Sequence, residues 1–220
     1  MFSAKHIARF TREASGMNDI ERLLIKRSKS GDVEAFEQLI FDYQKKTYNI
    51  ALRIMGNQED SKDMCQEAFI RIYKSIEGFK EQSSFSTWMY RIITNVCLDE
   101  IRRKKKNEAV SMDSTFETQD GEMHFEVASE DDTPEEAYLR SEKKRAILKA
   151  INELNEEYKT AIVLRDIQGF SYEEIANILC CSLGTVKSRI NRGRNILKDK
   201  LRNVLELSNT SNVYIAERRD

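Results

Sequence analysis

The chain has 220 residues, with 36 Lys and Arg against 37 Asp and Glu and a formal net charge of −1, so it is not globally basic. One proline and eight glycines argue for a mostly helical chain, and the length allows one large domain or two small ones with modest cores. No apolar run approaches the ~18 residues that would span a membrane, and the charge-scattered N-terminus lacks the apolar segment of a signal peptide.

Four cysteines (Cys65, Cys97, Cys180, Cys181) form no C-x-x-C pair, and the histidines are His6 and His124 alone. We therefore expect reduced thiols in or near the core of a cytoplasmic protein, and neither a metal nor a cofactor.

Residues 1–17 have weak periodicity and read as an N-terminal extension, with Met17 an alternative start immediately before the first helix. Asn18 to Lys29 reads as a helix carrying Ile20, Leu23 and Leu24. From Val33 the apolar positions Phe36, Leu39, Ile40, Tyr43, Ile50, Ala51 and Ile54 keep near-helical spacing, which predicts one long helix. Gly31 suits a helix end and Asp32 the next cap; Gly56 and Asn57 stop and restart the chain. A third helix spans 58–77, with Met64, Ala68, Ile72 and Ile76 on one stripe. After a loop at 78–84, a fourth runs from Phe85 to about Lys105. Four such helices predict a compact all-α domain over 18–106.

The next stretch, 107–132, lies within a span that carries eleven acids and no Lys or Arg between Asn107 and Leu139. Its polarity and like charge predict a flexible acidic linker. Thr133 then caps, Pro134 takes the first helical position and Glu136 closes a capping box, which opens a second helical domain over 133–205. Asn155 caps a further helix leading to Gly169. Residues 206–220 read as a frayed tail.

Ser171 to Arg194 carries the most information. Ser171 with Glu174 forms a capping box, and Ile175, Ile178 and Leu179 make one apolar stripe. Ser182 caps a second helix, where Leu183, Val186 and Ile190 face inward. Thr185, Lys187, Ser188, Arg189, Arg192 and Arg194 crowd the rest of that helix. Two short helices with a tight join, the second basic and rich in hydroxyls, form the helix-turn-helix pattern, in which the second helix enters the major groove. The bland alternative is an amphipathic pair with a solvated basic face.

The helix from Phe85 is the second constellation. It presents Phe85, Ser86, Thr87, Trp88, Tyr90, Arg91 and Asn95, then the basic run Arg102 to Lys106. Aromatics beside polar amides and a basic end suit single-stranded DNA, whose bases stack or flip into a pocket. Packing competes: Trp88 shares a stripe with Ile92 and is expected in the core first.

These residues resemble the extracytoplasmic-function sigma factors of bacterial RNA polymerase, in the sigma-70 family. The match lies in QEAFIRIYKSI (66–76), FSTWMYRIITN (85–95), the basic end IRRKKK, and SYEEIANIL with GTVKSRINRGR (171–194), in that order, over roughly 18–205. The resemblance implies a region 2, near 19–106, whose third helix docks on the β′ clamp helices of core polymerase, with Asp63, Gln66 and Glu67 in the binding motif. It implies that Phe85, Ser86, Thr87, Trp88, Arg91, Asn95, Arg102 and Arg103 read and melt the −10 element, with a flipped base held near 78–86. Region 4, near 134–205, would bind the −35 element through Ser182, Thr185, Lys187, Ser188, Arg189, Arg192 and Arg194, beside the β flap. Partners would be core RNA polymerase, promoter DNA and an anti-sigma factor, often membrane-anchored, while the chain itself is no membrane protein. The acidic linker would thread the RNA-exit path, and the free chain is expected to bind promoter DNA poorly. The 17 N-terminal residues and the tail exceed the family pattern.

Two rival functions are weighed. A dimeric helix-turn-helix regulator explains 134–205 but not the basic-aromatic helix. No enzymatic function is expected, because no Ser/His/Asp set or phosphate-binding glycine loop occurs, and the neighbouring Glu173 and Glu174 have no acid–base partner.

Overall fold

The computed structural model describes residues 19–110 and 134–216, with side chains for 19–107 and 141–202. The expected extension over 1–17 and the expected linker from 111 to 132 lie outside the described residues. Every regular element among those described is helical: α1 (Asp19–Lys29), α2 (Val33–Phe41), α3 (Gln44–Met55), α4 (Gln58–Ser75), α5 (Phe85–Val110), α6 (Pro134–Asn152), α7 (Glu156–Ile162), α8 (Tyr172–Leu179) and α9 (Leu183–Ala216). A 3-10 turn follows α4, and a π-helical turn, Val163–Ile167, follows α7.

The capping chemistry is local and fulfils the sequence reading. Asp32 accepts a hydrogen bond from the Ala35 amide and Asn57 one from Asp60. Gly56 ends α3 at φ 87°, a left-handed conformation that costs glycine little. Asn155 caps α7 through the Glu157 amide.

Four expectations are corrected. The row predicted as one helix from Val33 to Ile54 is two, broken at Asp42–Tyr43. There Tyr43 donates its hydroxyl to Glu21 (2.7 Å) and turns its ring edge toward Phe85 and Tyr90. That tertiary contact leaves the phase of the apolar row nearly unchanged, so periodicity does not reveal the break. In α1, Ile20 and Leu23 are exposed, whereas Ile25 and Ser28 are buried. Its rotation is fixed by Lys29, whose ammonium donates to the Phe79 carbonyl at 2.7 Å, while the Ser28 hydroxyl is satisfied by the Leu24 carbonyl. Helix α5 runs on to Val110, past the expected start of the linker. Helix α9 continues to Ala216, past its expected end near Leu205.

The core is continuous from end to end. Ile50, Ile54, Ile72, Ile76, Phe85, Met89 and Ile93 fill the space between α3, α4 and α5. Ile162, Leu164, Ile175, Ile178, Val186 and Ile190 fill the C-terminal helices, and α8 lies against α5. Cys65 and Cys97 are buried, as expected, but Cys180 is exposed at the end of α8.

Lys159 on α7 is 7% exposed, and burial lowers its pKa from the ordinary 10.5 to about 8, with Cys97 of α5 pulling the other way. Burial pushes the Cys65 thiol up to about 11 and Cys97 higher still. Above pH 8 the unfolded chain keeps a proton on Lys159 that the folded chain has released, so stability rises with pH. Above pH 9 unfolded thiols release protons that the folded ones hold, which reverses the trend. In thermal melts we expect stability to rise between pH 8 and 9, and Lys159→Met to remove that rise and add about 1–3 kcal/mol at pH 7. An unchanged slope in the variant would assign the rise to another group.

Candidate nucleic-acid interface

The helix-turn-helix forms as its sequence prescribes. The Ser171 hydroxyl accepts from the Glu174 amide (3.1 Å), and the Glu174 carboxylate accepts from the Ser171 amide (2.7 Å), a reciprocal capping box. Ile175 and Ile178 are buried, and α8 ends on Cys180 at φ 49°, the left-handed position usually held by glycine. Ser182 caps α9 through the Thr185 amide (3.1 Å), and Val186 and Ile190 pack inward.

The residues expected to meet DNA on α9 divide. Lys187, Ser188 and Arg192 are exposed and Thr185 half-buried. Ser182 is occupied as a cap. Arg189 pairs with Glu157 at 3.0 Å. Arg194 makes two bonds to Asp166, 3.1 and 2.5 Å, which hold its pKa above the ordinary value. Leu183, expected inside, is 41% exposed. Glu157 and Asp166 lie outside the motif, so its spacing carries no sign of these pairings.

Gly193 is a positioning residue that the sequence reading missed. It is buried where α9 crosses α7, and a Cβ there would lie 2.8 Å from Cγ1 of Ile162. A glycine inside an otherwise strong helical row was the available signal.

Helix α5 begins on Ser84, whose hydroxyl accepts from the Thr87 amide (3.1 Å) and lies 2.7 Å from the Thr87 hydroxyl. Trp88, Arg91, Asn95 and Arg102 share one face at i, i+3, i+7 and i+14. Asn95 and Arg102 are exposed, and Ser86, Trp88 and Arg91 half-buried. Phe85 corrects the expectation: it is 0% exposed, its ring among Tyr43, Phe79 and Trp88, so no base can reach it. Thr87, 7% exposed, and Tyr90, 2% exposed, also turn inward, against the expectation that they face DNA. Trp88 serves packing on one face, 5.1 Å from Phe79, and lines a cleft of about 290 Å³ with the other. Loop residues Gly78, Lys80 and Gln82 close one side of that cleft, Arg91 lies on the helix side, and Asn177 of α8 reaches its rim.

The basic run is paired more heavily than its sequence suggests. Arg102 binds Asp99 (3.2 Å), and Arg103 makes two 2.7 Å bonds to Glu100, which hold that carboxyl below its usual range. Lys104 reaches Asp60 (2.6 Å) and Lys105 reaches Glu156 (3.1 Å). Burial raises the Asp60 pKa, but Lys104 and Asn57 together outweigh it and keep the carboxyl low. On α4, Asp63 and Gln66 are exposed, Glu67 pairs with Arg71 (2.7 Å), and Ile70 stands 49% exposed on the same face, an apolar element the sequence reading passed over.

Among the described residues no helix is long and apolar enough to cross a membrane, and no three His, Cys, Asp or Glu side chains gather as a metal site.

Two family profiles match: "Sigma-70 region 2" over residues 39–107 and "Sigma-70, region 4" over 144–197. Among curated proteins, the ECF RNA polymerase sigma factor SigW of Bacillus subtilis is 38% identical over 180 residues, covering 82% of this chain and 96% of its own. The ECF RNA polymerase sigma-E factor of Haemophilus influenzae is 38% identical over 184 residues, covering 82% and 95%. Among solved structures, the sigma factor RpoE of Bartonella quintana, in complex with the anti-sigma factor NepR, superposes with a TM-score of 0.60 at 23% identity, covering 76% of this chain and 96% of that one. CnrH, in complex with the cytosolic domain of CnrY, gives 0.56 at 24% identity, covering 84% and 99%. At these identities the two structures bear on the fold alone.

Gly193→Ala tests the α9–α7 crossing. We expect a loss of about 1–3 kcal/mol in thermal or urea unfolding, even though alanine favours an isolated helix by about 1 kcal/mol. A stabilised variant would mean that Ile162 yields freely.

Proposed function

The chain belongs to the sigma-70 family, in its extracytoplasmic-function group, and is a transcription initiation factor; from that premise we propose how its surfaces divide the work. The region over 18–106 binds core RNA polymerase through the exposed row Asp63, Gln66 and Ile70 on α4, with Glu67 beside it, against the β′ clamp helices. Helix α5 captures the separated −10 strand: the cleft takes a flipped base against Trp88 and Arg91, and Asn95 reads beyond it. The region over 133–205 sets α9 in the −35 major groove. There Lys187, Ser188 and Arg192 make the outward contacts, while Arg189 and Arg194 must exchange their carboxylates for phosphates if they take part. The stretch 107–132 tethers the two. The chain works in the cytoplasm, assigns no bond-making step to its own side chains, and is held in check by an anti-sigma factor, itself often membrane-anchored.

The observation that carries this reading is the polar row on α5 beside an open cleft, in a chain that also holds a helix-turn-helix. A duplex-binding regulator has no use for an aromatic-lined cleft on a second unit. Non-specific affinity then comes from cations on phosphates and falls with salt, and specificity from a few base contacts.

Run-off transcription with purified bacterial core polymerase tests it, on templates from the organism's genome that include the promoter of this gene. We expect defined initiation that depends on this protein. Asn95→Ala should lower it by roughly 5- to 100-fold, the range of one good base contact. Lys187→Ala and Arg192→Ala should each reduce the salt slope of promoter binding by about one, the mark of a phosphate contact. No initiation, and no co-purification with core polymerase, would favour the dimeric regulator.

A further inference from the structure

We propose that the adjacent thiols of Cys180 and Cys181, at the join of the helix-turn-helix, chelate trivalent arsenicals, and that the bound group keeps α9 out of the −35 groove. The binding step stands on the thiol pair alone; its effect on DNA rests on the sigma-factor reading above.

The four cysteines divide in two. Cys65 on α4 and Cys97 on α5 are buried, whereas Cys180 is exposed and Cys181 half-buried, and all four are free thiols. Cys180 takes the left-handed conformation that ends α8, at φ 49° and ψ 46°. Its thiol donates to the Asn177 carbonyl at 3.7 Å. Each sulfur of the pair also accepts from a guanidinium: Arg91 reaches Cys180 at 3.8 Å and Arg189 reaches Cys181 at 4.0 Å. A reagent from solvent therefore meets two neighbouring thiols here and none in the core.

Their spacing selects the ligand. The peptide that joins them is trans, which sets their Cα atoms about 3.8 Å apart. Ordinary disulfides need roughly 4.4–6.8 Å between Cα atoms, so a direct bond between these sulfurs is strained. A bridging atom relieves that strain, because each sulfur bonds the bridge and not its neighbour. Two thiols are too few for the closed tetrahedral site of structural zinc. A linear two-sulfur centre such as copper(I) pulls the sulfurs to opposite sides. Trivalent arsenic is soft, as thiolate ligands prefer, and pyramidal. Two of its bonds, near a right angle, meet the two sulfurs, and the third keeps its organic group.

The step exchanges ligands without redox change. Two As–O bonds of an organic arsonous acid break and two As–S bonds form. Each thiol proton leaves with a hydroxyl group as water. The position of the pair gives this a consequence. Cys181 directly precedes Ser182, whose hydroxyl caps α9 through the Thr185 amide. Lys187 and Ser188 follow within the next turn and are exposed, on the end of the recognition helix that meets base edges in this motif. An aryl group fixed on Cys180 and Cys181 occupies the join beside that end, and Arg189 loses its sulfur partner.

Phenylarsonous acid and the full chain give the test. Under native conditions the wild type should take up one phenylarsenic group, read as intact mass, and lose both accessible thiols to a chromogenic disulfide reagent. Cys180→Ser and Cys181→Ser should each weaken uptake by roughly 100-fold or more, the gain expected when a second attachment is intramolecular. For run-off assays the protein is treated, freed of reagent and then given core polymerase. The wild type should lose initiation from a −35-dependent promoter and regain it with excess dithiothreitol, whereas both variants keep theirs. No uptake by the wild type, or uptake unchanged in either variant, would overturn the site. An adduct on both thiols that leaves initiation intact would overturn the block at the groove. A wild type that forms the adduct yet never initiates, even untreated, would instead sink the sigma-factor reading and the effect on DNA with it, while the thiol site stands.

Discussion

The structure depends on how helix α5 is rotated about its own axis. One side of this helix is buried by α3 and α4, and the other carries polar side chains. Phe85 sets that rotation. Its ring is enclosed by Tyr43, Phe79 and Trp88, and each aromatic contact contributes about 0.5–1.5 kcal/mol beyond area burial. With Phe85 inside, Met89, Ile93 and Val96 follow it inward, and Arg91, Asn95 and Arg102 are carried outward by the helical repeat. Ser84 begins the helix at the residue that makes this register possible.

What was legible in the sequence was local. Ser171 with Glu174, Asp32, Asn57 and Asn155 announce helix starts, because each side chain bonds an amide two or three residues away. The ordered motifs at 66–76, 85–95 and 171–194 carried the family. The misses share one cause, a long-range partner. Tyr43 leaves its helical row for Glu21, Lys29 rotates α1 by reaching Phe79, and Arg194 is taken by Asp166, 28 residues away. In sequence Phe85 fits a stacking platform as well as a core position, because an aromatic ring at a helix start suits either role until its neighbours are known. Gly193 was passed over because nothing in its own segment shows that α7 will cross there.

The charges follow the same rule. A run of five cations from Arg102 to Lys106 suggests a ready phosphate track. In the folded chain four of them already face Asp99, Glu100, Asp60 and Glu156. Exposed pairs of this kind contribute about 0–1 kcal/mol each, so a phosphate can displace the carboxylate at little cost. The pairing sets the side chains in place and leaves the exposed Lys106 at the end of the run.

The contact of α5 with the C-terminal helices is of moderate strength. The Tyr90–Phe170 pair supplies about 0.5–1.5 kcal/mol, Lys46 over the two rings about 0.5–2 kcal/mol, and the exposed Lys105–Glu156 pair at most about 1 kcal/mol. Burial of Lys159 beside Cys97 works against them, since an ammonium leaves water without a carboxylate to meet it. Set against the cost of burying Lys159, these contacts come close to balance, so the contact of α5 with the C-terminal helices is weak beside a protein–protein interface of standard size.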